Sequence, residues 1–100
     1  MDFNLTTPHD LMIQIAERAK EKRLVLNLTQ SSLSERSGVS YGVIKKFEQT
    51  GKISIESLLN IALVLDSLAE FSTLFKSKPA DSYQSLDQLL KQKVRKRGRK

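Results

Sequence analysis

The 100-residue sequence contains no cysteine, no tryptophan and a single histidine, His9. Without thiols there is neither a disulfide framework nor a thiolate metal site, which suits a reducing compartment. His9 lies where a helix starts, with no nucleophile motif beside it, so a capping or surface role is expected. The four glycines, at positions 38, 42, 51 and 98, form no phosphate-cradling loop. No group of side chains has metal-ligand spacing either. The expectation is therefore a protein that is not an enzyme and needs no cofactor or metal. Long apolar runs are missing too. The longest, "LLNIALVL" from Leu58 to Leu65, is far short of the ~20 residues that cross a bilayer. The opening "MDFNLTTPHDL" lacks the basic and apolar regions of a secretory signal. These absences point to a soluble, cytoplasmic protein without a membrane partner.

What is present is apolar residues at 39%, enough for one small core, and a net charge of +6 that is unevenly placed. Residues 1–17 carry three acids and no lysine or arginine, whereas residues 18–52 carry eight basic and three acidic side chains. Residues 53–90 carry two lysines against five acids, and the last ten, "KQKVRKRGRK", carry seven basic groups and no acid. Positive charge gathered into one central stretch and a tail favours a polyanionic partner.

Helical signals run along the whole chain, and no segment alternates with the period of a strand. Thr7 as N-cap, Pro8 at the first helical position and Asp10 at the positive dipole end open a first helix. Leu11, Ile15 and Ala19, with Met12 and Ala16, form its apolar stripe. Lys20, Lys22 and Arg23 crowd its last turns, and Asn27 suits a left-handed stop. Thr29 caps a short second helix that ends near Ser37, where Gly38 permits a tight turn. Ser40 caps a third, from about Tyr41 to Gln49, which Thr50 and Gly51 stop. Ser54 opens a fourth that runs to about Asp66. In this fourth helix Leu58, Leu59, Ala62 and Leu65 make the core stripe, with Ile61, Leu63 and Val64 outside it. Ser67 and Glu70 have capping-box spacing for a fifth helix, "LAEFSTLF". "KSKPADS" reads as a linker, and "SLDQLLKQ" as one or two further helical turns before the tail.

The third helix decides the functional reading. Advancing about 100° per residue from Gly42 places Lys45, Lys46 and Gln49 within about 60° of it. Val43, Ile44 and Phe47 fall on the other side, which must be buried. Exposed lysines commonly serve only solubility. Here, however, the helix is too short to form without tertiary packing. Gly42 also costs up to ~1 kcal/mol of helix propensity, a cost explained by the close approach of another backbone. Finally, the preceding short helix and glycine turn complete a helix-turn-helix unit.

"LTQSSLSERSGVSYGVIKKFEQTGKISIESLLNIALVL" resembles the helix-turn-helix domain of the phage-repressor (Cro/repressor, or Xre) family, over about Ala19 to Leu68. The landmarks are Leu28-Thr29-Gln30, Leu33, Gly38-Val39-Ser40, Ile44, Phe47 and Glu48. "FEQTGKISIESLLNIALVLDSLAEFSTLF" and the later "SLDQLL" are similar to the subset found in toxin–antitoxin operons, such as HipB-like antitoxins. The resemblance implies an all-α, five-helix repressor-like domain at 1–75, with the helix-turn-helix unit at about 29–49. A linker, short helix and basic tail would occupy 76–100. It also implies that the third helix enters the major groove of double-stranded DNA. Gln30 would then bind phosphate or brace that helix. Tyr41, Gly42 and Lys46 occupy base-facing positions, with Lys45 near the backbone. Tyr41 departs from the family's usual short polar or basic side chain. It is left open between stacking, a thymine methyl and a phosphate. Lys46 can donate to guanine O6 and N7 or to phosphate. Ser40, Gln49 and Lys52 complete the expected DNA-binding set around this helix.

In the tail, Arg95, Lys96, Arg97 and Arg99 are expected to bind phosphates or enter a minor groove; RNA or an acidic protein patch are the alternatives. The apolar fourth helix is either a central core helix or, with the fifth and with Phe71, Leu74 or Phe75, part of a homodimer contact. Dimers of this class read two half-sites one helical turn apart. The implied function is an autorepressing transcription regulator located at the nucleoid, or the DNA-binding antitoxin of a toxin–antitoxin operon. The rival is a protein-interaction module that holds a toxin or another operon-encoded protein, with DNA binding secondary.

Overall fold

The computed structural model describes residues 6–77. Its elements are α1 (Pro8–Val25), α2 (Gln30–Ser37), α3 (Tyr41–Thr50), α4 (Ile55–Val64) and α5 (Leu68–Phe71), with no strand among the described residues. The five-helix all-α architecture agrees with the sequence. The short helix expected within "SLDQLLKQ" and the tail residues Arg95, Lys96, Arg97 and Arg99 lie outside the described residues.

Four of the helices start where a hydroxyl can satisfy an orphan backbone donor. Thr7 accepts from the Asp10 amide at 3.0 Å, and the Asp10 carboxylate accepts from the Thr7 amide in return. Thr29 accepts from Ser32, Ser40 from Val43 and Ser54 from Ser57, at 2.9, 3.2 and 3.1 Å. Each such cap contributes on the order of 1 kcal/mol.

Stops are equally local. α1 closes in a Schellman motif: Asn27 takes φ 60°, its N–H donates to Leu24 O, and the Leu28 N–H donates to Arg23 O, each at 3.0 Å. α4 closes in the same way with Asp66 at φ 59°, where the Asp66 and Ser67 amides donate to Leu63 O and Ala62 O. Gly51 ends α3 at φ 80°, and a Cβ there would come within 2.9 Å of the Met12 backbone. No other residue fits where α3 meets α1.

The capping box expected at Ser67 does not form. Ser67 has φ −126° and ψ 8°, makes no side-chain cap, and donates its hydroxyl to Leu65 O at 3.2 Å. The reason is that Ser67 already serves as the last residue of the α4 closure, which fixes its backbone. The fifth helix is consequently a single turn, four residues instead of the expected eight.

α1 packs on α3, α2 on both α3 and α4, and α4 on α5. The core is Ala16, Leu28, Leu33, Val39, Ile44, Phe47, Ile61 and Leu65, with Leu33, Ile44 and Ile61 the most fully buried large side chains. Ile61 thus sits at the centre of the core, not outside the α4 stripe. α4 contacts both α2 and α5, and a wheel drawn against one partner misses this. Leu11, placed on the α1 stripe, is exposed.

Candidate nucleic-acid interface

α2, the turn at Gly38-Val39-Ser40 and α3 form the helix-turn-helix unit. Gly38 takes φ 77°, its amide closing α2 on Ser34 O at 2.9 Å. Val39 drops into the core, and the Ser34 hydroxyl holds its carbonyl at 2.6 Å. Ser40 then caps α3, so its hydroxyl oxygen is engaged with the Val43 amide. The path between the two helices is fixed by side chains that face inward or bond locally.

α3 is held from one side only. Ile44 and Phe47 are buried, while Gly42, Lys45, Lys46 and Gln49 are exposed together on the outer side, and Tyr41, also exposed, lines a groove with Arg23, Leu24 and Gln30. Lys52, just past the end, is exposed as well. A Cβ added at Gly42 would meet no atom within 4 Å, so nothing inside the protein requires a glycine there. Thr50 turns its hydroxyl back onto Lys46 O at 2.7 Å, and the Lys52 amide donates to that hydroxyl at 3.2 Å. This pins the segment carrying Lys52 to the last turn of the helix.

Val43 departs from the expected pattern. The helical wheel groups it with the buried pair, yet it is 38% exposed. At about 100° around the helix from Gly42 it lies on the flank of the outer face, and Ile44 and Phe47 fill the inner side without it.

The orientation of α3 is set by an ion pair. Arg23 of α1 grips Glu48 of α3 with both ends of its guanidinium, Nε to Oε2 at 2.8 Å and Nη2 to Oε1 at 3.0 Å. The two side chains are only 8% and 6% exposed. Arg23 Nη1 also donates to Leu28 O at 2.8 Å, and Gln30 Nε2 donates to Glu48 Oε1 at 2.9 Å. Glu48 therefore ties α3 to α1 and to α2. Burial alone would raise its pKa, but the hydrogen bonds from Arg23 and Gln30 and the attraction of Arg23 and Lys20 outweigh that and hold it below the ordinary 4.5.

Gln30, through its bond to Glu48, makes a bracing contact to α3. The bracing pair itself has no local signature in the sequence, where Arg23 stands only as a favourable charge at a helix end. The available signal was Glu48, a carboxylate on the wheel at the margin of the buried side, where it requires a cation.

Elsewhere, α1, α4 and α5 enclose an apolar cleft of about 210 Å³, lined by Ile15, Ala19, Leu58, Ile61, Phe71 and Leu74 among others. Leu74 is exposed at its edge, and Leu63 and Phe75 are exposed large apolar side chains outside its lining. Among the described residues no helix is long and apolar enough to cross a membrane, and no group of three or more potential metal ligands converges.

No protein-family model matches the chain. Two curated proteins are similar to it, one from Sinorhizobium medicae (strain WSM419) and one from Rhizobium meliloti (strain 1021), both described as an "Uncharacterized HTH-type transcriptional regulator". Each is 28% identical over 79 residues, or 78% of this chain and 55% of the relative. The chain thus spans about half the length of the curated relatives it matches. Their description agrees with the helix-turn-helix arrangement of α2 and α3.

Proposed function

We propose that the protein is a sequence-specific DNA-binding transcription regulator of the Xre type, acting as a homodimeric repressor of its own promoter. Membership of a toxin–antitoxin pair, as its DNA-binding antitoxin, is the narrower form of the same reading. The observation that carries it is the outer face of α3. Lys45, Lys46, Gln49 and the bare backbone at Gly42 are displayed together on a helix held from behind by Ile44, Phe47 and Glu48. Glu48, the acid nearest that face in sequence, is already neutralised by Arg23, so the lysines keep their attraction for phosphate and for guanine edges.

In this reading α3 enters the major groove, Lys46 addresses a base, Lys45 and Lys52 fix register on phosphates, and Tyr41 lies along the flank. Arg95, Lys96, Arg97 and Arg99 add a phosphate-binding or minor-groove arm. Two copies associate through α4 and α5 with Leu74 and Phe75, and the bound dimer excludes polymerase. Neither an enzymatic step nor a cofactor enters. A nucleoid location in the cytoplasm follows from this use.

The apolar cleft between α1, α4 and α5, with Phe75 fully exposed beside it, favours a second reading. In that reading the domain's main partner is a protein, such as a toxin from the same operon. Fluorescence anisotropy of the full chain on its own upstream region and on a scrambled duplex of equal length, across a salt series, separates the two. Tight binding to the upstream duplex only, with the preference reduced in Lys46→Ala, is the expected result. Equal binding to both duplexes by wild type and variant would refute specific readout by α3.

A further inference from the structure

Val43 is a 38% exposed aliphatic side chain on a helix flank that also carries Lys46 and Thr50, and it is not among the core residues. Three features prepare it for contact. The Ser40 hydroxyl accepts from its amide at 3.2 Å, so its place in the first turn is fixed. Its β-branch leaves one strongly preferred rotamer in a helix, so its methyls are presented with little freedom to lose. The adjoining Gly42 presents no side chain to hold the first turn away from a surface.

The first turn of a recognition helix is the part that reaches base edges, and the one apolar group in the major groove is the thymine C5-methyl. We infer that Val43 is a specificity residue that packs on a thymine methyl, next to the base addressed by Lys46, its neighbour three residues on and one turn along the same side. This rests on the DNA-binding reading and adds to it. Each half-site would then carry a thymine adjacent to the Lys46 base, read by apolar contact and not by hydrogen bonding. Covering one methyl corresponds to about a fourfold change in affinity.

The test begins by selecting a binding sequence for the full chain from a random duplex library and finding the position relaxed by Lys46→Ala. Each thymine is then replaced singly by deoxyuridine, which removes only the methyl. Wild type and Val43→Ala are compared on every duplex. The expected result is one thymine next to the Lys46 position whose loss weakens wild type about fourfold. The same replacement should leave Val43→Ala unchanged. Val43→Ala binding the deoxyuridine duplex as well as wild type does shows at once that the variant is folded. Methyl loss with no effect anywhere, or an equal loss in both proteins, overturns the inference while leaving specific DNA binding in place. A selection that yields no consensus overturns the DNA reading itself, and this inference with it.

Discussion

Glu48→Gln is the perturbation that tests how α3 is held. It keeps the shape of the side chain and one carbonyl oxygen but removes the negative charge. The Arg23 guanidinium then sits 8% exposed with Leu28 O and one amide oxygen as acceptors, and Gln30 competes for that oxygen. Removing one partner of a buried pair costs roughly 3–5 kcal/mol. Because glutamine keeps one acceptor, the lower end, about 3 kcal/mol, is expected. That is a large part of the 5–15 kcal/mol typical of a folded domain, so the change is easily measured. Urea unfolding followed by far-UV circular dichroism at pH 7 gives the difference directly.

The same pair makes a second demand, on pH. Glu48 has its pKa lowered in the folded state. Its stabilising effect is complete above the ordinary carboxylate value and is lost as pH falls through the lower, folded one. The gap between wild type and Glu48→Gln must therefore close in acid, because wild type becomes neutral at this position too. The double variant Arg23→Met/Glu48→Leu should be more stable than Glu48→Gln, since it leaves no charge buried without its partner. A cost below about 1 kcal/mol at pH 7, or a gap that is the same at pH 7 and pH 3, would refute the placement of this pair as the brace of α3.

Gly51→Ala should be far more damaging than Gly38→Ala. Both glycines have positive φ, worth about 1–2 kcal/mol of strain to an alanine, but only at Gly51 does the new Cβ strike backbone, that of Met12 at 2.9 Å. Equal melting temperatures for the two variants would remove the close approach of α3 to α1. Gly42→Ala should raise stability by up to ~1 kcal/mol, since its Cβ meets open space, and yet weaken operator binding by standing off the first turn of α3. Unchanged or improved DNA affinity would show that the glycine does not serve approach. Removing residues 91–100 should flatten the dependence of log affinity on log salt by about 0.9 for every phosphate the arm neutralises; an unchanged slope would exclude the arm.

Much of this fold was legible because its punctuation is local. Thr7, Thr29, Ser40 and Ser54 each bond an amide three residues on, Asn27 and Gly38 adopt the left-handed conformation expected of them, and Gly51 stops α3 as expected. Ser67 carried the same kind of signal and failed, because the end of α4 had already claimed its backbone. The candidate site was half legible. Periodicity put Lys45, Lys46 and Gln49 outward and Ile44 and Phe47 inward, and it misplaced Val43, which stands at the boundary between them. Nothing local could connect Arg23 with Glu48, which are 25 residues apart, nor place Ile61 at the centre of a core built from several helices.

The division of labour along α3 also bears on how such a protein changes over generations. The residues that keep the helix in place (Ile44, Phe47, Glu48 and Gly51) share no position with those it presents outward. Exchanges at Tyr41, Gly42, Val43, Lys45, Lys46 or Gln49 leave the brace and the core untouched. In the DNA-binding reading, one scaffold can therefore acquire a new target by a few single substitutions, each passing through a folded intermediate. Duplicated copies can then part ways in what they recognise without first losing their shape.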